Sequence, residues 1–304
     1  MIRRYVTADV FTDTQFSGNP VAIVLDAQGL SSAQMQALAS EFGYSETTFV
    51  LPPRSPAHTA WVRIFTPSRE IPFAGHPNIG TAFVLATKAA ARQQPLPDVL
   101  VFEEIAGLVP VRQLKEGDAV VGAELVAPEP LTRLSQVSAG RAAACLSLTA
   151  GDVRVDTHAP QVASVGLPFL VVELASREAL RRCMPNLAAY KVLLPIDGAV
   201  SIYAYTREVG AARSGTICDL EARMFTPRMT EDPATGSATA ATAALIAEVR
   251  GLSELSMCVA QGVDMGRPSI LSVKVDTRDD RAEVRVGGKC VTVMEGSFEL
   301  AGEH

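Results

Sequence analysis

The chain has 304 residues, of which 48% are hydrophobic, and its 27 basic and 33 acidic side chains give a net charge of −6. This length and hydrophobic content allow one large core or two ordinary ones. The acidic balance, with no long basic run, argues against a nucleic-acid partner. No apolar run approaches the length that crosses a bilayer, so we expect no membrane association.

The first residues, Met1–Phe11, alternate like a strand and show no charged start followed by an apolar signal core. We therefore expect a cytoplasmic protein. The five cysteines are widely spaced without a C-x-x-C pair, so we expect buried, reduced thiols. They are Cys145, Cys183, Cys218, Cys258 and Cys290. None of the four histidines lies in helical i, i+4 register with another, which argues against a zinc site.

The next elements are marked by turn and capping residues. A turn signal at Phe16–Pro20 precedes a strand-like run, Val21–Leu25. Ser31-Ser32 is typical of a helix start, and Gly43 is typical of its end. The run Thr47–Leu51 then favours a strand.

Glu46 stands where that helix gives way to that strand. An arbitrary glutamate at such a junction is most often a solvated loop residue. The alternative is a partly buried acid, whose pKa burial would raise, so that it both takes and returns a proton near neutral pH.

Two stretches of the chain resemble each other. Arg63–Pro67 leads into Glu70–His76, and Arg223–Pro227 leads into Glu231–Ser237, with one inserted residue between the registers. Each copy predicts a strand, a tight glycine loop and a helix N-terminus. Glycine and proline in either copy alone often do no more than make a turn. Two weaker echoes in the same order nevertheless favour two homologous halves.

A helix N-terminus leaves backbone N–H groups unpaired and attracts an anion such as a carboxylate. Two facing copies would form a two-sided anion clamp. Polar residues occupy matching places next to the loop glycines, His76 after Gly75 and Ser237 after Gly236.

Between the halves the composition changes at Pro128-Glu-Pro130, which breaks both helix and strand. We predict domains at 1–126 and 127–290, and a helix at about Leu134–Ser147. The second half ends in strands at Ser269–Val275, Ala282–Val286 and Val291–Met294. Turn signals at Asp279-Asp280 and Gly287-Gly288 separate these strands and predict an antiparallel meander.

Taken together, the motifs resemble those of the PhzF-like family, the phenazine-biosynthesis isomerases related to diaminopimelate epimerase. The resemblance runs from about residue 5 to residue 298. The motifs are Asp9–Thr12, Gly18–Pro20, Ser45–Thr47, Phe65–Pro67, Pro72–Pro77, Gly80–Ala82, Glu231–Ala238, Gln261-Gly262 and Gly266–Ser269.

The resemblance implies an α/β (α+β) fold of two pseudo-symmetric domains, each a curved, mostly antiparallel sheet around a central helix, as in diaminopimelate epimerase. It implies an active site in the cleft between the domains, a final strand at about 291–304 that packs with the first domain, and a homodimer. It also implies acid/base isomerisation of a small carboxylate such as trans-2,3-dihydro-3-hydroxyanthranilate, with no cofactor: no metal, flavin, nicotinamide or pyridoxal phosphate.

Carried over residue by residue, the resemblance places the acid/base group at Glu46 and the other catalytic residues at His76 and Asp232. The substrate-binding positions fall on Gly75, Asn78, Gly236 and Ser237. His76 and Asp232 are expected to steer the substrate's polar groups and tune Glu46. Ser237 and the N–H groups near the loop glycines are expected to hold a carboxylate or enolate oxygen.

Three alternatives accompany this interpretation. In isolation, His76 and Ser237 are ordinary helix-capping residues, and Asp232 is a turn former before Pro233. A cofactor-independent epimerase or racemase of the same fold would need a cysteine at the start of each central helix, and neither motif contains one. A non-catalytic binding protein would need no glutamate, whereas Glu46 is present.

Overall fold

The computed structural model describes residues 2–209, 217–277 and 283–300 of a mixed α/β protein. The chain divides into two compact units. The first comprises Met1–Leu125 and Gly287–His304, and the second comprises Val126–Val286.

The first unit holds most of the elements that lead to Glu46 and His76. Its helices are α1 (Ser32–Phe42) and α2 (Gly75–Ala91). Its strands are β1 (Ile2–Val10), β2 (Asn19–Val24), β3 (Thr47–Leu51), β4 (Ala60–Phe65), β5 (Glu70–Ile71), β6 (Val99–Glu104), β7 (Gly107–Glu116) and β8 (Ala119–Val126), which ends at the unit boundary.

The second unit carries the elements around Asp232 and Ser237. Its helices are α3 (Ala139–Cys145), α4 (Arg177–Arg182), α5 (Leu187–Leu193) and α6 (Gly236–Val249), with a 3₁₀ turn at Ala150–Asp152. Its strands are β9 (Thr132–Gln136), β10 (Gln161–Ser164), β11 (Pro168–Glu173), β12 (Ile202–Thr206), β13 (Leu220–Phe225), β14 (Glu231–Asp232), β15 (Glu254–Gln261) and β16 (Ser269–Asp276). A last strand, β17 (Glu283–Glu299), begins here and continues into the first unit.

The same series of strand pairings occurs in both units. In the first, β1 and β2 are antiparallel, β2 and β3 parallel, β3 and β4 antiparallel, β4 and β6 parallel, and β6 and β7 antiparallel. In the second, the identical alternation links β10, β11, β12, β13, β15 and β16. In both units the helix that follows the short hairpin, α2 or α6, connects two parallel strands.

Both connecting helices are buried where they begin. The first turns of α2 and almost all of α6 are inaccessible, and α2 contacts β1, β2, β3 and β7. A helix that is apolar all round is enclosed by other elements. Gly80 of α2 lies so close to β1 and β2 that an added Cβ would approach Val21 Cγ1 to 2.6 Å. This contact fixes the depth of the helix against the strands.

An arginine–glutamate pair braces the short hairpin before each of these helices. Arg63 donates from Nε and Nη2 to the two oxygens of Glu70 at 2.7 and 2.6 Å, and Arg223 does the same to Glu231 at 3.0 and 2.7 Å. Such bidentate pairs fix orientation as well as distance. The sequence repeat therefore corresponds to a repeated ion pair in the structure.

The alanine-rich stretch is only partly helical. The expected helix at Leu134–Ser147 is limited to α3, because its first residues form β9, which pairs with β10. The stretch is therefore split between a strand and a short helix.

The predicted terminal meander is wrong at Gly287-Gly288, where β17 continues as a strand. Gly287 permits close approach rather than a turn, since a Cβ on Gly287 would lie 2.4 Å from Glu124 Cβ on β8. The strand goes on to pair antiparallel with β1, from Cys290 opposite Val10 to Glu299 opposite Ile2. The other turn signal, Asp279-Asp280, lies outside the described residues, as does His304.

Cys218 and Cys258 form a disulfide in the second unit, with their Cα atoms 4.7 Å apart. The expectation of reduced thiols is wrong for this pair, because neighbouring strands bring together two residues far apart in the chain. Cys145, Cys183 and Cys290 are free and buried. Among the described residues, no helix is long and apolar enough to cross a membrane, and no three His, Cys, Asp or Glu side chains cluster as metal ligands.

Candidate functional site

Glu46 lies in the short connection between α1 and β3. Helix α1 begins at Ser31, which forms a capping box with Gln34, and ends at Gly43 in the left-handed conformation at φ 68°. Strand β3 starts immediately after Glu46, and Thr48 on it is hydrogen-bonded to Thr81 of α2 at 2.8 Å. Both sides of the connection are thus anchored, and Glu46 is held toward α2.

The carboxyl group of Glu46 is close to the imidazole of His76. The Oε2 to Nε2 distance is 3.6 Å, and the side chains are 19% and 8% exposed. Burial raises the pKa of Glu46 from 4.5 to about 7, with a smaller opposing effect from a hydrogen bond to Ser45. Glu46 is therefore the partly buried acid of the two sequence-based alternatives, and both of its protonation states are populated near pH 7.

His76 is the second residue of α2 and does not cap it. The N-cap is Ala74, which has no side-chain oxygen to accept a first-turn N–H group. By contrast, Ser31, Ser176 and Asn186 cap α1, α4 and α5 with their side chains. The start of α2 thus combines Gly75, a positive dipole end and no side-chain cap, an arrangement that suits an anion.

Asn78 is fully buried in the first turn of α2 and donates from Nδ2 to Ala74 O at 3.1 Å. Its Oδ1 has no hydrogen-bond partner among the described residues. The amide therefore closes the turn from inside, where it lies beside another buried carboxyl group.

That carboxyl group belongs to Glu104, which the motifs did not indicate. Neither of its oxygens has a hydrogen-bond partner in the described part of the chain, and burial raises its pKa to about 8, partly offset by Asn78. The sequence did contain a signal, because the period of two places Glu104 on the same face of β6 as the buried Leu100 and Phe102.

In the second unit, Asp232 ends the short strand β14 and is held by its own loop. Its Oδ2 accepts a hydrogen bond from Thr235 Oγ1 at 2.5 Å. The turn-forming role considered for Asp232 is therefore present in the structure.

Gln261, the last residue of β15, braces this loop from the neighbouring strand. Its Nε2 donates to Asp232 O at 2.9 Å and to Thr235 Oγ1 at 3.1 Å, while its Oε1 accepts from Thr235 N at 3.1 Å. Gly262 follows in the left-handed region at φ +73°, where a Cβ would lie 2.6 Å from Pro233 O. The Gln261-Gly262 motif thus stabilises the loop that carries Asp232.

Gly236 and Ser237 are the first two residues of α6, and Gly236 is buried while Ser237 is half-buried. The N-cap is Thr235, whose side chain makes no capping hydrogen bond. Ser237 is therefore inside the helix and is not its N-cap, contrary to the capping alternative. Like α2, α6 begins without a side-chain cap.

The family of the chain follows from its similarity to known proteins. Residues 8–296 match the family model PhzC-PhzF, described as phenazine biosynthesis-like protein. The chain belongs to this family. An uncharacterized isomerase of Mesorhizobium japonicum is 38% identical over 97% of this chain and 98% of its own length. The trans-2,3-dihydro-3-hydroxyanthranilate isomerase of Pseudomonas chlororaphis is 33% identical over 98% and 100%.

Among solved structures, a Bacillus anthracis phenazine biosynthesis protein of the PhzF family matches the fold of this chain. The TM-score is 0.85 at 24% identity, covering 99% of this chain and 100% of that one. With relatives named as isomerases along its full length, this PhzC-PhzF family member is an isomerase.

Proposed function

We propose that the chain is a cofactor-independent isomerase that moves a proton within a small carboxylate substrate by acid/base catalysis. The proposed substrate is trans-2,3-dihydro-3-hydroxyanthranilate, the compound named for the Pseudomonas chlororaphis relative. The observation that carries the proposal is the buried Glu46, with a pKa of about 7, placed 3.6 Å from His76.

A single carboxyl group suffices for this reaction. Glu46 in its carboxylate form removes a proton from one carbon of the substrate, and the electron pair moves along the conjugated system. The protonated Glu46 then returns a proton to another carbon, so the enzyme ends in the state in which it began. A pKa near the working pH makes both steps accessible. His76 steers the polar group of the substrate next to Glu46.

The start of α2 is proposed to bind the substrate's carboxylate. Gly75 leaves room for close approach, since even an added Cβ would meet nothing nearer than Leu125 Cδ2 at 3.9 Å. Asn78 keeps the first turn in shape through Ala74. The dipole and the first-turn N–H groups favour the negative charge.

We propose that Asp232, Gly236 and Ser237 contribute to binding the same substrate. Asp232 is held by Thr235, so its orientation is fixed before the substrate arrives. The uncapped start of α6 offers the same kind of anion-binding group as α2.

The finer architecture is proposed as well. The repeated strand pairings, the repeated Arg–Glu pair and the two buried helices support an ancestral duplication that produced two pseudo-symmetric, epimerase-like domains. We assign them to 1–126, together with the final strand at about 291–304, and to 127–290. A cytoplasmic location and a homodimer complete the proposal, and light scattering after size-exclusion chromatography tests the dimer.

The epimerase alternative is not favoured. Two-thiol racemisation needs a cysteine at each helix start, and α2 and α6 carry His76 and Ser237 at these positions. The three free cysteines are buried elsewhere in the chain.

The decisive assay incubates the purified protein with trans-2,3-dihydro-3-hydroxyanthranilate and follows loss of substrate by NMR. Turnover that survives dialysis against EDTA supports both the substrate and a mechanism that needs no dissociable metal ion. No turnover excludes this substrate, and turnover lost to EDTA and restored by a metal contradicts cofactor independence.

A further inference from the structure

A cavity lies in the first unit, at the opposite end of α2 from His76. It has a volume of about 680 Å³ and is lined by the first residues of β1, the segment after β2, the end of β3 and the last turn of α2. This volume is typical of small-molecule sites. His76 and Lys88 are twelve residues apart on α2, which corresponds to about 18 Å along the helix.

The lining is strongly cationic in a chain whose net charge is −6. Four basic side chains, Arg3, Arg4, Lys88 and Arg92, line the cavity together with one carboxylate, Asp26, and Lys88 forms a salt bridge with Glu295 at 2.8 Å. Asp26 is bonded to Arg4 at 2.7 Å, and the pKa of Asp26 is lowered mainly by this hydrogen bond, with smaller contributions from Arg3 and Arg92. Arg4 and Lys88 are therefore each paired with a carboxylate.

Arg3 is the buried member of this group. It is only 9% exposed, and its Nε has no hydrogen-bond partner among the described residues, while Nη2 donates to Gln28 O at 2.6 Å. A guanidinium remains charged at any physiological pH, and Asp26, the carboxylate of the lining, is already hydrogen-bonded to Arg4. A cavity next to it gives an anion room to bind.

The other walls are apolar. Val50, Leu51, Pro52, Leu85 and Leu96 face the same cavity. A purely inorganic anion would leave these surfaces unused, whereas an anion with an apolar body covers both kinds of lining.

We propose that this cavity binds a small organic anion, a carboxylate or phosphate ester with an apolar body, at a site separate from the isomerase site. Arg3 and Arg92 supply charge-assisted hydrogen bonds, and the apolar wall accommodates the rest of the ligand.

Isothermal titration calorimetry of the full chain with phenyl phosphate, citrate and inorganic pyrophosphate tests this site. We expect saturable binding of at least one organic anion that weakens as salt is added. The Arg92→Gln variant, changed at an exposed helix end, should bind about tenfold more weakly because one charged hydrogen bond is lost. Arg69→Gln, an exposed arginine of the same unit outside this cavity, is the matched control and should bind like the wild type.

A second variant, Arg3→Lys, keeps the positive charge but loses the planar guanidinium group. Thermal melts with and without the bound anion measure folding and binding in the same experiment. The ligand-induced rise in Tm should shrink in Arg3→Lys and persist in Glu46→Gln. The proposal is overturned if phenyl phosphate, the probe with an apolar body, does not bind saturably, or if Arg92→Gln binds it as well as the wild type. It is equally overturned if Arg69→Gln weakens binding as much as Arg92→Gln, or if Glu46→Gln abolishes it. Isomerase turnover, measured separately, decides the proposed function independently.

Discussion

The starts of α2 and α6 have the same local backbone arrangement but different acidic residues beside them. Each follows a short hairpin braced by an Arg–Glu pair, and each begins without a side-chain cap. At α2 the nearby acid, Glu46, is buried with a pKa of about 7 and faces His76. At α6 the acid, Asp232, accepts a hydrogen bond from Thr235 within a loop braced by Gln261. We propose that this shared backbone arrangement serves two tasks, proton transfer at α2 and substrate binding at α6.

The largest expected effect comes from removing the proton carrier. Glu46→Gln keeps the shape of the side chain but cannot ionise, so kcat should fall by about 10²–10⁴-fold, the range typical of general acid–base groups. Steady-state kinetics measure this. Glu41→Gln, an exposed glutamate on α1, is the matched control and should retain wild-type kcat. Wild-type activity in Glu46→Gln would remove this residue from the mechanism.

Asp232→Ala should affect binding more than chemistry. Loss of the Thr235 contact loosens the loop, so KM should rise about tenfold, by the free energy of one charge-assisted hydrogen bond. The rise of activity with pH, governed by the pKa of Glu46, should stay near pH 7. A pH–rate profile of the variant checks this, and a displaced profile would show that Asp232 shares in the proton transfer.

The free energy of unfolding should fall as the pH rises through the range in which the buried carboxyl groups of Glu46 and Glu104 titrate. The pKa of Glu46 is raised from 4.5 to about 7 and that of Glu104 to about 8, so the folded state holds these protons after the unfolded chain has lost them. Their contribution is complete below about pH 4.5 and is lost by about pH 8, with a slope of up to about 1.4 kcal/mol per pH unit for each group.

Urea unfolding at several pH values measures this slope. Glu104→Gln should lower it between pH 5 and pH 8, because one titrating group is gone, while Glu41→Gln should leave it unchanged. An unaltered slope in Glu104→Gln would mean that Glu104 is ionised in the folded protein at neutral pH.

The smallest effect is expected at Gly75. Alanine there meets only Leu125 Cδ2 at 3.9 Å, so the free energy of unfolding should change by less than about 1 kcal/mol. The added methyl group lies at the helix start that is proposed to bind the substrate's carboxylate, so KM should rise a few-fold. Thermal melts and kinetics separate the two effects, and an unchanged KM would argue against carboxylate binding at α2.

Local elements were predictable where capping and alternation agree. Ser31 and Gly43 bound α1 as expected, and Thr47–Leu51 is the strand β3. The sequence failed where tertiary contacts decide. Gly287-Gly288 has the composition of a turn but serves close strand packing against β8, and the residues before α3 pair as a strand.

The motifs indicated Glu46 and His76 but not their surroundings. The family pattern supplied residue types, whereas the burial that raises the pKa of Glu46 arises from tertiary packing that no motif describes. Glu104 belongs to no motif and was visible only as an acid on the buried face of β6. Gln261 stabilises the Asp232 loop from a neighbouring strand that is distant in the sequence, so no local sequence pattern predicts these hydrogen bonds.

The most direct test of Glu46 as the proton carrier is deuterium transfer in heavy water. Wild-type protein and Glu46→Gln are incubated with trans-2,3-dihydro-3-hydroxyanthranilate, and the product is examined by NMR and mass spectrometry. The wild type should form product that carries deuterium at the newly protonated carbon, because the Glu46 proton exchanges with solvent. Glu46→Gln should form this labelled product far more slowly than the wild type. Labelled product formed by Glu46→Gln at the wild-type rate would contradict the assignment.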